Sequence, residues 1–148
     1  MAELRNVIIF AAGGARYALE LRWVREVVSL GFVTGVPTAP AALGGVCNLH
    51  GQILPVLDVG ALLDLPAGSP ARQGDGGLVI ETEGVVCALR VDQVDHVASL
   101  HEADDGVLVD AGGRPLTLLD PATLVRRAQE LITAAANEPA GALPTGAV

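Results

Sequence analysis

The chain has 148 residues and a net charge of −8 with a pI near 4.6. That length suits one domain or two small halves sharing a core, and the scattered basic residues exclude a binder of nucleic acid, which needs clustered Lys and Arg. Hydrophobic residues make up 51% and aromatics only 3%, so the core must be built from Val, Leu, Ile and Ala, which favour strands where Val and Ile are dense. The apolar runs fall short of the roughly 18 residues that suggest a membrane span. The N-terminus lacks a basic region followed by a signal core, so a cytoplasmic protein without direct membrane insertion is expected.

In chain order, the apolar run Val7 to Phe10 reads as a strand that turns at Gly13-Gly14. Tyr17, Leu19 and Leu21 alternate with Arg16, Glu20 and Arg22, the period of a half-buried strand. The spacing of Trp23 with Val27, and of Val24 with Val28, predicts a short helical turn. After the breaks at Pro37 and Pro40, Gly45 to Leu49 and Gln52 to Leu57 predict two strands around a tight turn at His50-Gly51. Asp58 then caps a short helix. The Pro- and Gly-rich stretch 66–77 predicts a loop. Beyond it come strands at Leu78 to Ile80 and Val85 to Val91, joined at Glu83-Gly84, and a two-residue hairpin at Gly112-Gly113. Asp120-Pro121 predicts the start of a helix over about 121–135, with Leu124, Ala128, Leu131, Ile132 and Ala135 on one face. Residues 137–148 read as a disordered tail.

An internal echo divides the chain. Leu57-Asp58 precedes Leu62-Leu63 by the same interval that separates Leu119-Asp120 from Leu124-Val125. Each half therefore reads as strands closing on an Asp-capped helix. This predicts a mainly β protein with a first barrel over about 4–65 and a second over about 78–119.

The stretch Gly45-Val46-Cys47-Asn48-Leu49-His50-Gly51, followed after three residues by Pro55-Val56-Leu57-Asp58, resembles the signature of the CheW family of chemotaxis-type adaptors. That signature runs Gly-Val-x-Asn-Leu-Arg-Gly, three residues, Pro-x-x-Asp-Leu. His50 stands where the family has arginine and Val59 where it has leucine. Tyr17-Ala18-Leu19, Val24 to Val27 and Val91-Asp92-Gln93-Val94 extend the resemblance over most of the chain. It implies two small five-stranded barrels sharing a core in a single domain over 1–136. It also implies an adaptor without enzymatic activity, cofactor or metal. The partners implied are the cytoplasmic tip of a methyl-accepting chemoreceptor and the regulatory domain of a CheA-type histidine kinase. Carried over position by position, receptor contact falls at Leu21, Val24, Glu26 and His50, and kinase contact at Gly45, Val46, Asn48 and an edge near Ala88.

Other chemistry weighs less. A thiol nucleophile at Cys47 or Cys87 would need a base and an orienting acid beside it. Cys47 and His50, three apart on a strand, point to opposite faces. His96 and His101 with Glu102, Asp104 and Asp105 match no usual zinc spacing. No glycine pair leads into a phosphate-binding motif. Gly44-Gly45 offers instead a strand that another backbone can approach closely. Two rivals remain: a degenerate family member that binds only kinase or only another adaptor, and a metal-linked sensor using His96 and His101.

Overall fold

The computed structural model describes residues 3–65, 74–102 and 107–136. The expected tail, most of the 66–77 loop, and Asp104 and Asp105 lie outside the described residues. The strands are β1 (Glu3–Ala12), β2 (Ala15–Glu20), β3 (Val24–Ser29), β4 (Val33–Thr34), β5 (Leu43–Leu49), β6 (Gln52–Asp58), β7 (Gly76–Thr82), β8 (Val85–Val91), β9 (Gln93–Glu102), β10 (Leu108–Val109) and β11 (Pro115–Leu118). The helices are α1 (Val59–Leu62) and α2 (Pro121–Ala136).

Three hairpins close through two-residue turns in which both residues have positive φ: Gly13-Gly14 (60° and 82°), His50-Gly51 (52° and 82°) and Glu83-Gly84 (52° and 77°). This backbone matches the right-handed twist of the flanking strands. Both aspartates cap their helices. Asp58 Oδ1 accepts a hydrogen bond from Gly60 N at 3.1 Å, and Asp120 Oδ1 accepts one from Ala122 N at 3.1 Å. Each satisfies a backbone donor that the first helical turn leaves open.

β1, β2, β11, β10 and β9 form a closed five-stranded barrel, and β3, β7, β8, β6, β5 and β4 form a six-stranded sheet in that order. The division into a 4–65 barrel and a 78–119 barrel is therefore corrected. The repeat is real, but its hairpins are exchanged. Hairpin β1–β2 of the first half joins β9–β11 of the second, and hairpin β7–β8 joins β3–β6. Four ladders make the exchange: two parallel, Val56–Asp58 against Ala88–Arg90 and Thr117–Leu118 against Tyr17–Ala18, and two antiparallel, β1 against β9 and β3 against β7. Nothing local in a strand tells it to pair in parallel with one from the other half.

The exchange explains the apolar runs. Val7 and Ile9 of β1 point into the barrel with Ala18, Leu108 and Leu116. Ile8 and Phe10, on the opposite face, enter a core shared with Leu19, Leu78, Ile80, Leu89, Leu124 and Val125. β7 and β8 do the same from the other side. Leu78, Ile80, Cys87 and Leu89 enter the shared core, while Val79 and Ala88 join Leu30, Cys47, Leu54 and Val56 under the sheet. A strand buried on both faces cannot show polar alternation. Each such fully buried side chain contributes about 1.5–3 kcal/mol.

Two local expectations are also corrected. The helical turn at Trp23 is a single 3-10 turn, Leu21–Trp23, and Val24 onward is strand paired with β7. Branched Val24, Val27 and Val28 suit a pleated surface better than a helix. The Gly112-Gly113 connection is not a two-residue turn, because Val109 pairs with Pro115. Asp110 builds the longer loop, with its Oδ1 accepting from Gly112 N and Arg114 N at 2.9 Å each.

Asp110 also binds the Arg16 guanidinium of β2, which reaches Asp95 at 3.5 Å. The hydrogen bond from Arg16, followed by that from Arg114 N, holds the Asp110 carboxyl down at about 2. A carboxyl whose folded value lies below its unfolded value of about 3.9 contributes stability above that value and loses it as pH falls toward the folded one. Unfolding midpoints in urea should therefore fall between pH 4 and pH 2 more steeply in the parent chain than in Asp110→Asn. Equal slopes would show that the contact does not link protonation to folding.

Candidate partner-binding site

β3 and the β5–β6 hairpin are separated by β7 and β8 in the sheet order, yet the curl of the sheet brings them together. His50 Nε2 lies 2.9 Å from Glu26 Oε1. Both side chains remain open to solvent, His50 at 73% and Glu26 at 38%. Two of the residues expected at the receptor contact, one in the signature turn and one on β3, thus meet. A histidine at φ 52° is unusual but better tolerated than most residues in the left-handed region.

Asn48 has a structural task. Its Oδ1 accepts from Gly51 N at 3.0 Å, which pins the turn that presents His50. Leu21 and Val24 lie on the segment leading into Glu26. Leu21 is exposed, whereas Val24 is half-buried against the shared core. Between them the Arg22 guanidinium stacks 4.8 Å over the Trp23 ring, which stiffens the approach to β3.

The expected kinase-facing residues fall differently. Ala88 is 0% exposed and β8 lies between β7 and β6, so the expectation of an edge near Ala88 is corrected. The alternation of Val85, Cys87, Leu89 and Val91 marks one buried face, but the face carrying Ala88 is covered by a second apolar layer. Gly45 is also buried, at φ 146°. A Cβ there would stand 2.4 Å from Thr34 O. The backbone that approaches Gly45 is therefore the chain's own β4, through the pairs Val33 with Cys47 and Thr34 with Val46. Val46 is half-buried and Asn48 is exposed.

Sequence reasoning passed over the surface beside β4. Phe32 is 75% exposed and Val36 is 40% exposed, in a chain with two phenylalanines in all. From Leu30 to Leu49 the sequence has no Asp, Glu, Lys or Arg. Depletion of charge together with an open aromatic is the compositional mark of an interface core, and it was available in the sequence.

The rival chemistries find no support in the geometry. Cys47 and Cys87 are buried, and burial raises the Cys87 thiol to about 11 and the Cys47 thiol above its ordinary value. A protonated thiol is a poor nucleophile. His96 and His101 pair with Ile9 and Leu4 of β1 in unbroken register. Five residues apart on a strand, they point to opposite faces.

Two lobes of strands, an exposed pair bridging distant parts of one sheet, and an uncharged edge describe a β module that presents surfaces. The CheW-like domain model matches residues 6–129, and the chain belongs to that family. It is 31% identical to the chemotaxis protein CheW of Rhizobium meliloti over 100 residues, covering 68% of this chain and 64% of that protein. A probable chemotaxis protein CheW of Rhizobium etli is 32% identical over 97 residues, covering 65% and 61%. These matches span less than two thirds of either relative's length. The crystal structure of the scaffolding protein TtCheW from Thermoanaerobacter tengcongensis superposes with a TM-score of 0.67 at 19% identity, covering 80% of this chain and 90% of that one.

Gly45 generates a prediction. An alanine there combines a strained backbone with a clash against Thr34 O, and strain of this kind alone costs about 1–3 kcal/mol. Gly45→Ala should lose at least that much in urea unfolding and should raise amide exchange at Val46, which pairs with β4. An unchanged midpoint and exchange rate would show that β4 does not clamp this position.

Proposed function

We propose that the chain is a cytoplasmic, non-enzymatic adaptor that couples a chemoreceptor to a CheA-type histidine kinase. The observation that carries this reading is the Glu26–His50 contact, which joins the glutamate and the signature-turn residue at the place where the family resemblance expects a receptor groove. Among the described residues no helix is long and apolar enough to cross a membrane, which suits a partner that meets the receptor at its cytoplasmic tip.

Receptor contact is assigned to Leu21, Glu26 and His50, with Val24 supporting them from below. Kinase contact is assigned to the β4 edge. Gly45 and Val46 act there by seating Thr34, and Phe32 and Val36 flank it as apolar anchors. A short edge strand offers open backbone groups to a strand from another domain. An aromatic at the centre of such a contact carries much of its energy.

The histidine has a consequence for strength. Arginine presents a rigid fork that can hold a carboxylate through two parallel bonds, whereas the ring nitrogens of histidine point apart and only one can face a given carboxylate. In this chain Nε2 faces Glu26. Receptor binding should therefore be weaker than an arginine would give.

Isothermal titration against the regulatory domain of the kinase from the same cell should give a dissociation constant on the order of micromolar. A receptor-tip fragment should bind as well. Phe32→Ala should weaken only the kinase, and His50→Arg should strengthen only the receptor, each several-fold. Kinase binding without receptor binding, unchanged in His50→Arg, would leave a one-partner family member as the better account. Binding of neither would overturn the proposal.

A further inference from the structure

Arg90, near the end of β8, is a cation with a side chain only 9% exposed. It faces Asp58 across the parallel ladder. Its Nε donates to Asp75 Oδ2 at 3.1 Å, and Nη1 lies 3.7 Å from both Asp58 Oδ1 and Asp92 Oδ1. A charge so far from water persists only where partners compensate its desolvation. A planar guanidinium can serve three acceptors in different directions, which an ammonium of the same charge does less well.

Each aspartate is fastened to a different part of the fold. Asp58 caps α1 through Gly60 N. The Asp75 carbonyl accepts from Leu30 N at 2.7 Å, just beyond β3. Asp92 holds the barrel, because its Oδ2 accepts from Gly13 N at 2.8 Å and its N donates to Ala11 O at 2.9 Å. That barrel turn is seated tightly. A Cβ at Gly13 would stand 2.5 Å from Leu65 Cδ1, so the turn lies between Asp92 and Leu65, three residues beyond α1. One guanidinium thus gathers the barrel, the six-stranded sheet and the first capped helix where β8 passes into β9.

We propose that Arg90 is a positioning residue that sets the orientation of the barrel relative to the six-stranded sheet. The inference concerns the chain alone and stands whether or not the adaptor reading holds. Its consequence for an adaptor is that a partner touching both lobes meets them at a preset angle and loses little entropy in ordering them. Arg90 acts through its three aspartates and touches no partner itself.

Paired spin labels can read that orientation. One label goes at Ser99 on the barrel and the other at Gln52 on the sheet, both exposed, in a Cys47→Ala, Cys87→Val background. Electron–electron double resonance should give one narrow distance for the labelled chain. Arg90→Met, which keeps an apolar stem and removes the charge, should broaden or shift that distance by several ångströms. Asp92→Asn, which loosens only the barrel-side link, should broaden it less. Arg90→Lys should fall between Arg90→Met and the parent. Amide protection at Ile9 and Val79 should persist in all three, showing that each lobe keeps its own core. If Arg90→Met does not fold, Asp92→Asn and Arg90→Lys decide the matter. A distance as narrow and as centred as the parent's in every variant that folds would overturn the proposal.

Discussion

The parallel pairing of β6 with β8, and of β11 with β2, is the constraint on which the rest of this structure depends. Each ladder joins strands from different halves of the chain, so neither lobe can be completed by one half alone. With the antiparallel pairing of β1 with β9 and of β3 with β7, these ladders leave β1, β7 and β8 buried on both faces. The pairing of Glu3 with Glu102 and of Val24 with Ile80 shows how far apart in sequence the contacts reach. Such non-local pairing slows folding. It also makes the lobes interdependent, since each contains strands from both halves of the chain.

The same constraint places the polar groups. Because β8 lies beside β6, Arg90 stands opposite Asp58, and a residue with no role in a lone hairpin becomes the meeting point of three aspartates. Because β7 and β8 extend the sheet that ends in β3, the sheet is wide enough to curl, and its curl carries Glu26 to His50. Two signature residues shape the backbone around them. Asn48 holds the turn, and Gly45 yields space to β4.

Much of this was legible in the sequence because its causes are local. Paired residues at Gly13-Gly14, His50-Gly51 and Glu83-Gly84 announce two-residue hairpins. Aspartates before Val59 and Pro121 announce helix starts, and the repeat of that motif announces two related halves. What was not legible is what depends on distant partners. The exchange of hairpins leaves no mark in either half. Ala88 looks like the open side of an alternating strand until a second apolar layer is placed over it. Trp23 and Val27 have helical spacing, but pairing with β7 outweighs it. Arg90 reads as one more charged residue until its burial is known. The exposed Phe32 is different, since the uncharged run around it was there to be read.

Histidine stands at position 50, where the signature that the chain resembles has arginine. In this chain Asn48 pins the turn and Glu26 faces His50. The most direct test of the central claim is co-sedimentation of three purified components: this chain, the kinase regulatory domain and a receptor-tip fragment from the same cell. The account predicts that the receptor fragment and the kinase domain enter one complex only when the chain is present. Equal recovery of that complex without the chain, or failure of the chain to enter it, would contradict the account.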